Sequence, residues 1–166
     1  HNAFEGCSSL TSIPIPEGVT SIGNYAFRGC SNLKSISIPE GVTSIESYTF
    51  YGCTSLASIS IPEGATSIGE SAFADCTSLT SIFIPEGVTS IGNGAFYVNE
   101  IESLVVNSKL ESIGYETFDD NPTLSSITGY SGSTYRVQER GVSQPSGGSG
   151  EGSAVRAFRG HEQAPQ

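Results

Sequence analysis

The chain has 166 residues, 36% of them hydrophobic, and carries seventeen acidic against seven basic residues for a formal net charge of -10. One domain of ordinary size fits that length, and the strong negative balance leaves no broad basic surface for nucleic acid or anionic lipid. The apolar residues come in short bursts broken by Ser, Gly and Pro, so no stretch approaches the roughly 18 to 20 apolar residues of a membrane-spanning helix.

The chain opens His1-Asn2-Ala3-Phe4, with no initiator Met, basic n-region or apolar h-region, so a signal peptide is expected to be absent or already removed. From that Phe onward the sequence repeats itself. Phe4, Phe27, Phe50, Phe73 and Phe96 are spaced by 23 residues and Phe118 follows after 22. Cys7, Cys30, Cys53 and Cys76 keep the same period, as do Leu10, Leu33, Leu56 and Leu79. A fixed period of this length is the signature of stacked repeats.

In the unit that begins at Leu33, Ile36 and Ile38 alternate with Ser35 and Ser37, the pattern of a half-buried strand. Pro39-Glu40-Gly41 ends it, since Pro offers no amide to a ladder and Gly permits a turn. Val42 and Ile45 then return apolar side chains to the interior, and the segment through Tyr48, Phe50 and Cys53 bends back toward the next strand. Each unit is therefore one coil. The predicted strands, in chain order, are Leu10 to Ile15, Leu33 to Ile38, Leu56 to Ile61, Leu79 to Ile84, Ile101 to Val106 and Leu124 to Thr128. Stacked at about 4.8 Å, they make a parallel sheet along one side of a mainly β solenoid of about six coils, roughly 25 to 30 Å long.

The pattern Leu-x-x-Ile-x-Ile-Pro-x-x-Val-x-x-Ile-Gly-x-x-Ala-Phe-x-x-Cys-x-x-Leu resembles the BspA-like, or treponemal-type, leucine-rich repeat. The resemblance covers about residues 1–130 and weakens in the fifth unit, where Asn99 stands near the Cys position and Asn107-Ser108-Lys109 replaces Pro-Glu-Gly. It implies a leucine-rich-repeat solenoid and a role in adhesion or protein binding at a cell surface.

Repetition turns each position into a column of like side chains. The Phe column is expected to be the buried spine. The four cysteines lie at least 23 residues apart, unlike the close pairs of zinc sites, and are expected to be free thiols packed as small apolar groups. Glu17, Glu40, Glu63 and Glu86 occupy four successive turns and should form an acidic ridge. A solvated face is its plainest reading; recognition of a basic partner or bridging by calcium are alternatives, the second weakened by the absence of Asp-rich loops. On the outward sheet face, Ser12, Ser35, Ser58, Ser81 and Ser103 form one column, and Pro14, Ser37, Ser60, Phe83 and Val105 a second. Phe83 and Val105 place apolar groups where solvent is expected, which marks them as possible partner contacts; Tyr51 and Tyr97, each next to a spine Phe, are candidates of the same kind.

Catalysis is not expected, and neither a metal nor a cofactor is called for. His1 and His161 lie outside the repeats, so no rigid element sets a general base beside a Ser, and the Gly147–Gly152 run lacks the spacing of a dinucleotide fingerprint. Domain organisation divides at about residue 130. Residues 1–128 hold fourteen acidic and three basic residues, whereas 129–166 hold three and four. The segment 131–166 reads as a flexible Gly/Ser-rich linker with a weakly basic tail, in which Arg156, Phe158 and Arg159 could dock on a partner. Two functions are compatible with these features. The first is a non-enzymatic protein-binding module. The second is a structural subunit of a hetero-oligomeric assembly, with the tail and the exposed first coil packed on neighbours.

Overall fold

The computed structural model describes residues 1–107, 109–124, 126–129, 134–138 and 141–143. The predicted solenoid is present. The outward-face strands are β1 (Ser12–Ile13) and β2 (Ser35–Ile36), then β5 (Ser81–Phe83), β7 (Ser103–Val106) and β9 (Ser126–Gly129). They pair in parallel, β1 with β2, and β5 with β7 and β7 with β9. The third coil, predicted to supply a strand at Leu56–Ile61, contributes a single bridge between Ser60 and Ser37, so the face divides into two sheets.

A second ladder, which the sequence reading described only as an apolar return, runs along another side. β3 (Ser44–Ile45), β4 (Ser67–Ile68), β6 (Ser90–Ile91) and β8 (Ser112–Ile113) pair in parallel with Ser opposite Ser and Ile opposite Ile. Its strands are two residues long because each sits between the Pro turn and the bend at the spine Phe. The turn is closed each time by one hydrogen bond, Val42 N to Pro39 O at 3.0 Å and its equivalents at Val19, Ala65 and Val88.

The core is a set of columns. The rings of Phe4, Phe27, Phe50, Phe73, Phe96 and Phe118 stack in sequence, with centroids 5.2 to 5.6 Å apart and planes within 9°. Phe50, Phe73 and Phe96 are fully buried, whereas Phe4 is 36% exposed because no coil precedes it in the structure. Burial of each such ring stabilises by about 1.5–3 kcal/mol, and stacking spreads that stabilisation along the axis. At the bends the chain links coil to coil directly: Phe27 N donates to Thr49 O at 2.9 Å, Phe50 N to Ala72 O at 2.8 Å and Phe73 N to Ala95 O at 2.8 Å.

Cys30, Cys53 and Cys76 are buried and free, and Cys7 is exposed and free. Each buried thiol donates to the carbonyl of the spine Phe one coil back: Cys30 to Phe4, Cys53 to Phe27 and Cys76 to Phe50, at 3.1 to 3.2 Å. Where the column changes to Asn the acceptor does not. Asn99 Nδ2 donates to Phe73 O at 3.0 Å and Asn121 Nδ2 to Phe96 O at 2.8 Å.

Beyond residue 130, where the sequence reading placed a linker, the sheet continues. β10 (Thr134–Gln138) pairs antiparallel with β9, and β11 (Gly141–Ser143) antiparallel with β10. Gly141, inside the segment expected to be flexible, thus opens a strand; the short alternation in Thr134–Gln138 has no counterpart in the repeat. Residues 144–166, which include Arg156, Phe158 and Arg159, lie outside the described residues.

Candidate protein-binding surface

Parallel register carries Phe83 to the position opposite Val105. Phe83 is 44% exposed and Val105 half-buried, and both stand in the column that continues to Ser60 and Ser37. Ser58, Ser81 and Ser103 are exposed beside them. A bulky ring thus projects from a floor of small hydroxyls, a shape that a complementary protein surface can enclose.

The acidic ridge lies in the turns that leave the same strands. Glu17, Glu40 and Glu63 are exposed and Glu86 is half-buried. Two contacts temper its charge. The Glu63 amide donates to Glu40 Oε2 at 3.3 Å, and Lys109 Nζ stands 3.5 Å from a Glu86 carboxylate oxygen. The Lys109 pair is solvent-exposed on both sides and adds little stability. No group of three or more His, Cys, Asp or Glu side chains is placed to hold a metal ion among the described residues.

Tyr51 and Tyr97 sit in the bends and not on the strands. Tyr51 belongs to a half-buried cluster, tilted against Tyr48 at 5.9 Å and covered by the exposed Arg28 guanidinium at 5.6 Å. Arg28 also lies 5.8 Å from the Tyr25 ring and pairs with Glu5 at 2.9 Å, so these aromatic groups join neighbouring coils. Tyr97 is 38% exposed, and a hydrogen bond to Asp120 pushes its phenol pKa up, with the charges of Asp120, Glu116 and Asp119 adding to the effect.

Around Tyr97 the structure assembles a feature that the repeat pattern did not mark. A cleft of about 760 Å³ opens where the fifth coil meets the sixth, and Asn99, Glu100, Asp119 and Asp120 contribute to its walls. Val98, also in the wall, holds φ at 53°, a conformation strained for a β-branched residue. The Gly column of the earlier coils, Gly6, Gly29 and Gly52, takes the same left-handed conformation without strain. The signal in the sequence is the loss of Cys at Asn99; the Gly column has already given way one coil earlier to Asp75, at φ 61°. Tyr115, 54% exposed, is a large side chain that was not among the sequence candidates.

Stacked coils of 22 or 23 residues, with short parallel face strands and a continuous Phe spine, define a leucine-rich-repeat solenoid. The chain belongs to the BspA type leucine rich repeat family, whose repeat region matches residues 1–125 in six copies. It is similar to a leucine-rich repeat protein from Bacteroides ovatus, with 41% identity and a TM-score of 0.74 over 77% of this chain and 33% of that one. It is also similar to the leucine-rich repeat protein of T. pallidum, at 33% identity and a TM-score of 0.74 over 76% of this chain and 59% of that one. A leucine-rich cell surface protein from Faecalibacterium prausnitzii aligns at 30% identity and a TM-score of 0.70, over 87% of this chain and 41% of that one. The chain therefore spans between about a third and three fifths of the length of these relatives. No curated protein matches it. Among the described residues no helix is long and apolar enough to cross a membrane.

Proposed function

We propose that this chain is a non-enzymatic protein-binding module displayed at a cell surface, and that its partner lands on the sheet face around Phe83 and Val105 with the glutamate ridge at the margin. The observation that carries the reading is Phe83, a ring left 44% exposed beside the exposed serine column of Ser58, Ser81 and Ser103 and opposite Val105. Enclosing such a ring contributes up to about 1.5–3 kcal/mol, and aromatic anchors ringed by small polar residues are typical centres of protein interfaces. Family membership and the cell-surface relative from F. prausnitzii support the setting.

Photo-cross-linking tests this reading. A benzophenone side chain introduced at position 83 should trap a discrete polypeptide when the chain is exposed to intact cells or their surface proteins, and the same group at Thr43 in the turn before β3 should not. The double substitution F83S/V105S should remove the partner while leaving the melting temperature within a few degrees. Equal cross-linking from both positions would sink the assignment of the sheet face.

A further inference from the structure

We infer that the cleft between the fifth and sixth coils is a receptor for a basic side chain, a guanidinium or ammonium group presented by an extended segment of a protein partner. The inference rests on the reading of the chain as a protein-binding module and adds a second contact of defined chemistry.

Three observations converge. First, the walls accept hydrogen bonds far more than they donate them. Glu100, Asp119 and Asp120 are exposed at the cleft, and among the described residues no Lys or Arg forms an ion pair with any of them. Glu116 lies close enough to add to the local charge felt at Tyr97.

Second, Asn99 lines the cleft and is only 2% exposed, yet its Oδ1 has no hydrogen-bond partner. The contrast with its column is informative. Cys76 satisfies the Phe50 carbonyl with a thiol and leaves little polar capacity unused. Asn121 spends both ends of its amide: Nδ2 donates to Phe96 O and Phe118 O, and Oδ1 accepts from the Ile101 amide at 3.3 Å. Asn99 alone of the three has a surplus acceptor, and a buried acceptor without a donor is unfavourable until one is supplied.

Third, the cleft volume of about 760 Å³ falls within the range of sites that enclose a small group and its connecting chain. A donor-rich cation is the complement of three carboxylates and an unfilled amide oxygen, and guanidinium, planar and with five N–H groups, can reach several acceptors at once. A metal ion is the poorer fit, because no three acidic, Cys or His groups among the described residues are placed to ligate one.

The test is titration of the full chain with a fluorescent oligo-arginine peptide at physiological salt, next to an oligo-glutamate control. Binding of the basic peptide alone is expected. Asn99→Cys restores the thiol of the column, keeps a donor for the Phe73 carbonyl and deletes the spare oxygen; it should melt as the parent does and bind about tenfold more weakly, as should D119N/D120N. The ridge variant E40Q/E63Q, which removes the same number of charges outside the cleft, should weaken binding less than D119N/D120N does. Undiminished binding by Asn99→Cys would overturn the inference, as would equal weakening by the ridge variant, which would reduce the effect to overall charge. So would a rise in melting temperature with calcium that Asn99→Cys abolishes, since the cleft would then be a metal site. Failure of the parent chain to bind the peptide overturns the cleft alone if position 83 still cross-links a partner; loss of that cross-link while the peptide still binds overturns only the sheet face.

Discussion

Cys53 and Asn121 do the same work with different atoms, each capturing the carbonyl of a spine Phe one coil back. The thiols pay for that place in acidity. Burial, reinforced by the neighbouring thiol, pushes Cys53 up to about 12 and Cys76 well above the ordinary value, and raises Cys30 for the same reasons. Native protein at pH 8 should therefore be alkylated by iodoacetamide only at exposed Cys7, a pattern that mass spectrometry reads directly. The sign of the stability effect follows. The folded chain keeps protons that the unfolded chain sheds above about 9.0, so this contribution is intact below pH 9 and lost as pH rises toward about 12. Denaturation midpoints should fall over that window. Val98 offers a second residue-scale test: with φ at 53°, Val98→Gly should raise stability by about 1 kcal/mol in urea unfolding. The columns of Phe, Cys and Leu were legible because identical side chains recur at a fixed interval. The spare oxygen of Asn99 was not, because only the packed neighbours decide which amide atom finds a partner.

At the scale of the element, the face strands were foreseen from Ser–Ile alternation, except that the third coil supplies only a bridge; the ladder formed by β3, β4, β6 and β8 was not, since a single Ser–Ile pair between the turn and the bend gives no run of alternation to read. What holds the ladder close after its first strand is the Gly that follows Ile68, Ile91 and Ile113; Ile45 is followed by Glu46. A Cβ on Gly92 would stand 2.6 Å from the Glu70 amide nitrogen and 2.7 Å from the Gly69 carbonyl carbon, closer than packed atoms tolerate. Gly92→Ala should accordingly lose about 1–3 kcal/mol in urea unfolding. Gly18→Ala, whose Cβ would meet nothing within 4 Å, should stay within about 0.5 kcal/mol. The fifth turn shows how a broken motif is repaired. Asn107 stands in the Pro column, and its Nδ2 donates to Pro85 O at 2.6 Å and Val88 O at 2.9 Å while its Oδ1 accepts from the Lys109 amide. The departure from Pro-Glu-Gly was visible in the sequence; its substitute wiring was not, because the two acceptors belong to the coil before. The strands β10 and β11 escaped for a related reason: they fall outside the repeat, where no recurrence separates a strand from a linker.

The whole molecule is held mainly by contacts between consecutive coils, so its stability is a sum over interfaces. Coils with neighbours on both sides should exchange their amides slowest. Protection is expected to peak at Phe50, Phe73 and their bends and to be least in residues 1–9, all of them exposed. Phe73→Ala, in the middle of the ring stack, should cost about 3–5 kcal/mol and should lower protection on both of its sides. At the far edge, β10 and β11 reverse strand direction, so the hydrogen-bonding pattern offered there is no longer that of the parallel ladder. Within the array, by contrast, each coil meets the next through the same groups. A consequence is that length and register are separable properties. Excising residues 51–73 would join Phe50 to Ala74, one full period further on, and bring Phe96 over Phe50 in place of Phe73. A chain shortened by that interval should fold cooperatively as a smaller solenoid, whereas a cut of half the interval would set Ile84 or Pro85 where the Phe73 ring belongs. Genes for such arrays can therefore gain or lose whole periods by misaligned recombination without having to redesign a core.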